Sequence, residues 1–306
     1  MRVLIGFDGS GCSEAAMSDL RLAGLPDNVE AVVLTVANVW AAPELAPGVE
    51  PAVKVTPLAV AHARGEAEKQ IEEAKVTAAR GASMLERLFP GWSVSSEAAA
   101  DSPGWAIIKR AADWKADLIV VGATGRSGLS RLALGSVSQK IVIEAPCSVR
   151  VGRSTGQLSV RPPRVLLALD GSENSRLLID TVRQRHWPSG TRVRLITAVD
   201  EKIITTIFEP PLHLQKWIDS GDEDPLAWVA RMLAEYRTSL ESGGLHVDTL
   251  VNRGDPRKIL LDEAENWAAD SIMVGAKGHR ILERILIGTV STSITARAQC
   301  SVEIVR

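Results

Sequence analysis

Two stretches of the chain decide the fold: VGATGRSGLSRLALGS at residues 121–136 and VGAKGHRILERILIGT at residues 274–289. Both read glycine, two residues, glycine, nine residues, glycine, and then serine or threonine. Glycine is the residue whose backbone is most costly to order. Because the chain repeats the same glycine spacing 153 residues later, the spacing indicates a structural unit that occurs twice.

The repeat extends well beyond the glycines. When residues 101–153 are set against residues 254–306 without gaps, 21 of the 53 pairs are identical. The starts of the two copies match as well, because RVLIGFDGS at residues 2–10 pairs with RVLLALDGS at residues 164–172. Self-similarity of this length indicates the duplication of a folding unit.

The two copies divide the chain into two domains. We predict a first domain over residues 1–153, a linker over residues 154–163 and a second domain over residues 164–306. Apolar residues make up 45% of the 306-residue chain, as in an ordinary globular protein. Each half is long enough to bury a core of its own.

Short apolar runs alternate with helix-forming segments along each copy. In the first copy the predicted strands are residues 3–7, 31–39, 92–100, 118–122 and 147–152. Unbroken apolar runs are typical of strands that are buried on both faces. The alternation predicts an α/β fold with two tandem doubly wound domains, each a five-stranded parallel sheet flanked by helices.

The glycines mark a candidate anion site in each copy. Gly122 and Gly275 end the fourth strand, whereas Gly135 and Gly288 open the last helix. Free backbone N–H groups and the helix dipole attract anions to such a helix start. The hydroxyl group that follows the last glycine adds a donor at the same place.

An acidic residue follows the first strand of each copy: Asp8 in the first and Asp170 in the second. Ligands of doubly wound sheets bind at the carboxyl ends of the strands, where the strand order reverses. An aspartate there can accept hydrogen bonds from a ribose hydroxyl or a base amino group. An acid near one strand and an anion site near another together favour a nucleotide as the ligand.

These motifs resemble those of the universal stress protein family, whose nucleotide-binding branch carries the same glycine spacing and a similar DGS motif after the first strand. The resemblance implies a Rossmann-like fold of the adenine nucleotide alpha hydrolase type. It also implies ATP between the first and fourth strands, with Mg²⁺ held through its phosphates. The residues implied to contact ATP are Asp8, Val36, Gly122, Gly125, Arg126, Gly135, Ser136 and Val137, and in the second copy Asp170, Ala198, Gly275, Gly278, Gly288, Thr289 and Val290.

The second copy departs from the first within this set. It has His279 in place of Arg126, Ile281 in place of Gly128 and Ala198 in place of Val36. A β-branched residue resists the loop conformations that glycine allows, and a largely neutral histidine offers phosphate less charge than arginine. We therefore predict that the first site binds ATP more tightly than the second.

Two other functions remain open at the level of sequence. One is a scaffold of the same family that binds no nucleotide and works through protein contacts. The other is a slow ATP-hydrolysing or adenylating enzyme, since ESGGLHVD at residues 241–248 is similar to the phosphate loop of ATP pyrophosphatases. That stretch follows a helix rather than a first strand, which favours a helix C-cap. The sequence offers no nucleophile, base and orienting group in a recognisable set, so we expect binding rather than catalysis.

The composition and charge of the chain limit the classes of partner that we expect it to bind. A net charge of −2 gives no reason to expect nucleic acid or an anionic membrane as a partner. Three cysteines without a CxxC motif argue against disulfides and zinc, and no apolar run is long enough for a membrane helix. We expect a cytoplasmic protein.

The last strand of each copy is predicted to pair with its counterpart. CSVRVG at residues 147–152 and CSVEIV at residues 300–305 are apolar edge-strand candidates, and unpaired edges are normally protected. We therefore predict a pseudo-twofold pair of halves within the chain, with a homodimer of chains and a further protein partner as additional expectations. The long segments at residues 41–57 and 201–225 are candidates for loops that cover a ligand.

Overall fold

The computed structural model describes residues 1–39, 57–124, 134–153, 161–199, 225–276 and 288–306. Within these residues, each half contributes five strands. Those of the first half are β1 (Arg2–Gly6), β2 (Glu30–Ala37), β3 (Ser93–Ala100), β4 (Leu118–Gly122) and β5 (Ser148–Gly152). Those of the second half are β6 (Arg164–Ala168), β7 (Arg192–Val199), β8 (His246–Arg253), β9 (Ser271–Gly275) and β10 (Ser301–Val305).

Helices lie between the strands in both halves. The first half has α1 (Gly11–Asp19), α2 (Pro57–Leu88), α3 (Pro103–Trp114) and α4 (Ser136–Glu144). The second half has α5 (Glu173–Arg183), α6 (Pro225–Glu241), α7 (Pro256–Asn266) and α8 (Thr289–Arg297). Pro103 and Pro256 lie in the first turns of their helices, where the missing N–H of proline has no intrahelical partner to lose.

The strands form one ten-stranded sheet in the order β3-β2-β1-β4-β5-β10-β9-β6-β7-β8. All strand pairs within a half are parallel. The predicted doubly wound arrangement is therefore confirmed in each half. Strand order reverses between β1 and β4, and again between β6 and β9, which are the places where such sheets bind ligands.

The two halves join through their last strands. Strands β5 and β10 pair in antiparallel fashion, and Arg150 lies directly opposite Glu303. This is the pairing of terminal strands that the sequence predicts. It leaves neither of these strands as an edge of the sheet, and it makes the two five-stranded sheets continuous.

The apolar core differs between the two faces of the sheet. Beneath α3, α4, α7 and α8, one apolar cluster extends across both halves and includes Ile107, Ile141 and Ile294. On the other face each half has its own cluster, represented by Met17 in the first half and Leu178 in the second. The halves therefore share a core on one face, whereas the centre of the other face is available for other contacts.

A helix that crosses a membrane needs about 20 consecutive apolar residues. Within the described ranges, no helix is both long and apolar enough to cross a bilayer.

Candidate nucleotide-binding site

In each half, the described members of the predicted site lie near the carboxyl ends of the central strands or at the start of the last helix. Strands β1 and β4 are parallel neighbours, so their carboxyl ends lie at the same edge of the sheet. Asp8 follows β1, and Gly122 ends β4. The second half repeats this arrangement with Asp170 after β6 and Gly275 at the end of β9.

The two aspartates shape the turns that lead into the next helices. Asp8 Oδ1 accepts hydrogen bonds from Ser10 N at 3.0 Å and from Ser10 Oγ at 2.6 Å. Asp170 Oδ1 accepts the equivalent bonds from Ser172 at 3.0 and 2.6 Å, and another from Ser175 Oγ at 2.9 Å. Sequence reasoning assigned these acids to a ligand and missed their role in the turn. A ribose contact would have to share the carboxylate with it.

Gly122 has a packing role that the glycine spacing alone does not reveal. A Cβ atom at this position would lie 2.8 Å from the backbone C and O atoms of Cys12 in α1. At Gly152, its partner in the β4–β5 register, a Cβ atom would lie 2.5 Å from Ala16 Cα. Glycine at both positions therefore lets α1 pack closely against the sheet beside the candidate site.

The last helix of each half begins at a glycine in an extended conformation, Gly135 with φ −67° and Gly288 with φ −67°. The N–H of Gly135 donates to Ala123 O, and that of Gly288 donates to Ala276 O, each at 2.8 Å. Among the described residues, no side chain caps either helix. The backbone N–H groups that follow in the first turn are therefore the ones suited to an anion.

The hydroxyl residues and valines of the motif occupy the first turn of these helices. Ser136 and Thr289 are exposed, whereas Val137 and Val290 are half-buried against the shared core. An exposed hydroxyl at the helix start can reach a ligand, and the half-buried valine fixes the helix beneath it.

Two serines that sequence reasoning missed hold these helices to the strands. Ser138 Oγ donates to Gly122 O, and Ser291 Oγ donates to Gly275 O, each at 2.7 Å. Both serines are buried. Their signal was present in the repeat, because serine occupies the same position in both copies. They couple the start of the helix to the end of the neighbouring strand.

Val36 and Ala198 lie near the carboxyl ends of β2 and β7, one strand away from β1 and β6. Both side chains are half-buried. The implied contact with a base stays a prediction for each of them.

Some predicted site residues lie outside the described residues. These are Gly125, Arg126 and Gly278, together with Gly128, His279 and Ile281. The predicted ligand-covering segments lie outside them too, except for Pro57 and Pro225, which begin α2 and α6. The described residues thus cover the start and the end of each glycine motif.

Other groups on the described surface do not add a competing centre. Within the described residues, no three His, Cys, Asp or Glu side chains come together as a metal site. A groove of about 590 Å³ lies at the amino ends of β7 and β8 and includes Arg192 and His246. It is at the opposite edge of the sheet from the candidate nucleotide site.

Of the two duplicated cysteines, Cys300 is buried and Cys147 is half-buried. Burial raises the pKa of the Cys147 thiol to about 11 and that of Cys300 to about 12. Both thiols are therefore protonated at neutral pH, and a protonated thiol is a poor nucleophile and metal ligand.

Comparisons with known proteins give the class of the chain. The model of the universal stress protein family matches it twice, over residues 1–153 and 163–306. A universal stress protein of Mycolicibacterium smegmatis is 29% identical, and the match covers 71% of this chain and 70% of that protein. The stress response protein NhaX of Bacillus subtilis is 24% identical over 47% of this chain and 97% of its own length.

Solved structures agree with the fold. The crystal structure of a universal stress protein from Archaeoglobus fulgidus matches with a TM-score of 0.67 and 18% identity, covering 100% of this chain and 98% of that one. The chain belongs to the universal stress protein family, with two family domains in tandem.

Proposed function

We propose that this protein binds ATP at the carboxyl edge of its sheet, in one or both halves, and serves a stress response through nucleotide-dependent conformation or partner choice. One observation carries the proposal. In each half the last helix has a glycine at its N-cap and no side-chain cap among the described residues. It lies beside the end of the fourth strand. A buried serine holds it there.

The first turn of α4 would supply the phosphate contacts. The N–H of Gly135 is already bonded to Ala123 O, so the next N–H groups, of Ser136 and Val137, would face the phosphates with the Ser136 hydroxyl. Positive partial charge at a helix start favours this arrangement. Thr289 and Val290 would act in the same way in the second half.

The adenosine end would lie towards β1 and β2, where Asp8 and Val36 are positioned. Asp8 would accept a hydrogen bond from the ribose or base, and Val36 would give apolar contact beneath the base. Mg²⁺ would be bound mainly through the phosphates, because the described residues do not form a metal-binding cluster.

ATP titration of the whole chain tests the proposal. We expect the double variant Gly135→Asp/Gly288→Asp to bind ATP about 10- to 150-fold more weakly than the unchanged protein, the loss expected from one charge-assisted contact. The added carboxylates would repel phosphate at both helix starts. Mass spectrometry of the purified protein would show any nucleotide that is already bound.

Gly65→Asp provides the matched control. Gly65 is exposed in α2, and a Cβ atom there meets nothing within 4 Å. This variant should bind ATP as the unchanged protein does. Equal ATP affinity of the folded double variant and the control would contradict the phosphate assignment.

A scaffold without nucleotide is the second candidate, and the packing of Gly122 against Cys12 favours it. A Cβ atom at Gly122 would overlap the α1 backbone, so part of the glycine motif serves packing rather than a ligand. No measurable ATP affinity in calorimetry would support the scaffold. Release of AMP and pyrophosphate with a co-substrate would instead support an enzyme.

A further inference from the structure

Equivalent positions of the two copies face each other where the halves join. Arg150 and Glu303 are 153 residues apart and occupy the same position of the repeat, and they are direct partners in the β5–β10 register. A pseudo-twofold axis therefore passes through this pair. At the axis, one copy carries a cation and the other carries an anion.

The axis pair belongs to a buried row of four side chains in which acids and arginines alternate. Arg150 Nε donates to Asp19 Oδ2 at 2.7 Å, and Arg150 Nη1 donates to Glu303 Oε2 at 3.1 Å. Arg185 Nη1 donates to Glu303 Oε2 at 3.0 Å. Both Arg150 and Glu303 are 0% exposed. Each half contributes one acid and one arginine to this row.

Electrostatics keep the two axis residues charged. Burial alone would raise the pKa of Glu303, but Arg185 and Arg150 together lower it. Burial would lower the pKa of Arg150, whereas Asp19 and Glu303 raise it above its ordinary value. We call the contact between the halves along β5 and β10 the seam. It therefore contains a buried guanidinium beside a buried carboxylate.

A second contact on the same axis joins side chains of very different size. Residues 23–25 of the first copy, Ala-Gly-Leu, correspond to residues 185–187 of the second copy, Arg-His-Trp. His186 N donates to Gly24 O at 2.9 Å. Gly24 has φ +62°, and a Cβ atom on it would lie 2.6 Å from Trp187 Cδ2. The large side chain of one copy thus fits against the glycine of the other.

Away from the axis, the contacts between the halves are mutual. Arg153 N donates to Ser301 Oγ at 2.9 Å, and its counterpart Arg306 N donates to Ser148 Oγ at 3.1 Å. The side chains of these arginines also reach last-helix carbonyls of the opposite half. Two identical halves could form these contacts equally well, so they do not select a partner.

We propose that the residues at the axis, Arg150 with Glu303 and Gly24 with Trp187, make the seam selective. The last strand of each half then pairs with the last strand of the other copy and not with a second strand of its own copy. Pairing of two first halves would bring Arg150 against Arg150 and leave space beside Gly24. Pairing of two second halves would bring Glu303 against Glu303 and Trp187 against a second bulky loop. The seam therefore fits the other half of this chain, in the same molecule or reciprocally between two molecules.

Physical principles favour this selectivity. Like charges placed together in a buried interface are strongly unfavourable, and specificity commonly comes from penalties against the wrong partner. The outer charges, Asp19 and Arg185, lie beyond the axis pair and do not remove the like-charge contact at its centre. The partner at the seam is thus defined by charge and by size together.

Complementary charge reversals in the full chain test the proposal. In an Arg150→Glu chain the seam would hold three acids and one arginine, and in a Glu303→Arg chain it would hold three arginines and one acid. When the two variant chains exchange halves, each of the two seams regains two acids and two arginines. We expect the two chains, co-expressed with different tags, to form a one-to-one complex.

The measurement is the recovery of one tag with the other, followed by native mass spectrometry. Recovery of the mixed complex should exceed that of either variant with itself by more than about tenfold. If neither variant accumulates alone, soluble recovery on co-expression is itself the supporting result.

Reversals at an exposed pair provide the control. One chain with Glu72→Lys and another with Lys75→Glu each change an exposed ion pair in α2. These two chains should show no preference for each other. Equal recovery of mixed and unmixed seam variants, or failure of the mixed pair to accumulate, would overturn the proposal.

Discussion

The two halves have the same residues where the last helix starts beside the fourth strand, but they differ at the pseudo-twofold axis where the halves join. Glycine begins the last helix in both copies, and a buried serine ties that helix to the fourth strand in both. At the seam, arginine faces glutamate across the pseudo-twofold axis. The comparison separates what each half needs for itself from what it needs in order to recognise the other half.

The seam itself shows the same division on a smaller scale. Arg153 and Arg306 reach across it in equivalent ways, and both are arginine. Arg150 and Glu303 meet on the axis, where any residue faces its own counterpart. A charged residue buried at such a position can be paired only when the two copies differ there. Sequence divergence is therefore expected first at the axis.

The largest effect should follow from breaking the buried charge row. We expect Arg150→Met to lower the free energy of unfolding by about 3–5 kcal/mol, because buried Asp19 loses its ion pair while Glu303 keeps its ion pair with Arg185. Arg306→Met removes only hydrogen bonds to carbonyl groups and should cost about 1–3 kcal/mol. Chemical denaturation of the full chain measures both values.

The difference between the two variants is the informative quantity. Similar losses for Arg150→Met and Arg306→Met would mean that the axis charges act only as packing groups. A more stable Arg150→Met protein would mean that the desolvation of the charges outweighs their attraction.

Much of the fold could be predicted because the repeat and the apolar runs carry it. The apolar run at residues 118–122 coincides with β4, and the run at residues 31–39 overlaps most of β2. Pairing of the last strands also followed from their apolar sequence, since unpaired strand edges are normally protected. These features depend on local pattern, which one sequence displays directly.

The finer roles of repeated residues could not be predicted in the same way. Asp117 and Asp270 are identical in the two copies, but only the structure shows that they accept hydrogen bonds from the backbone N–H of Arg2 and Arg164, at 2.7 and 2.8 Å. The charge row was missed for a similar reason. Its members come from distant parts of the chain and meet only when the halves pair.

The next effect concerns the two candidate nucleotide sites, whose difference stays a prediction. We expect the first site to bind ATP about 5- to 30-fold more tightly, since Ile281 and His279 each weaken the second by about 1 kcal/mol through loop strain and lost charge. Calorimetric titration of Gly135→Asp and Gly288→Asp as single variants isolates each site in turn. The Gly288→Asp protein, which keeps the first site, should bind more tightly.

If the second site bound ATP more tightly than the first, the nucleotide sites would stand, but the reason for their different affinities would change. Lys277 in the second copy stands where the first has Thr124, and an added cation near the phosphates would favour the second site. Tighter binding by the Gly135→Asp protein would therefore point to Lys277, and Lys277→Thr should then abolish the difference.

The smallest expected effect separates the serine that supports the helix from the one at its start. Ser138 is buried and donates to Gly122 O at 2.7 Å, so Ser138→Ala should lower the free energy of unfolding by about 0.5–1.5 kcal/mol. Ser291→Ala should cost a similar amount, because Ser291 makes the same bond to Gly275 O.

Exposed Ser136 makes no such bond within the described residues, and Ser136→Ala should change stability by no more than a few tenths of a kcal/mol while it weakens ATP binding. Denaturation and calorimetry on the same three proteins measure the two effects separately. If Ser136→Ala were the more destabilising change, the helix start would be a structural cap in this protein, and the phosphate contacts would have to be sought elsewhere on that edge of the sheet.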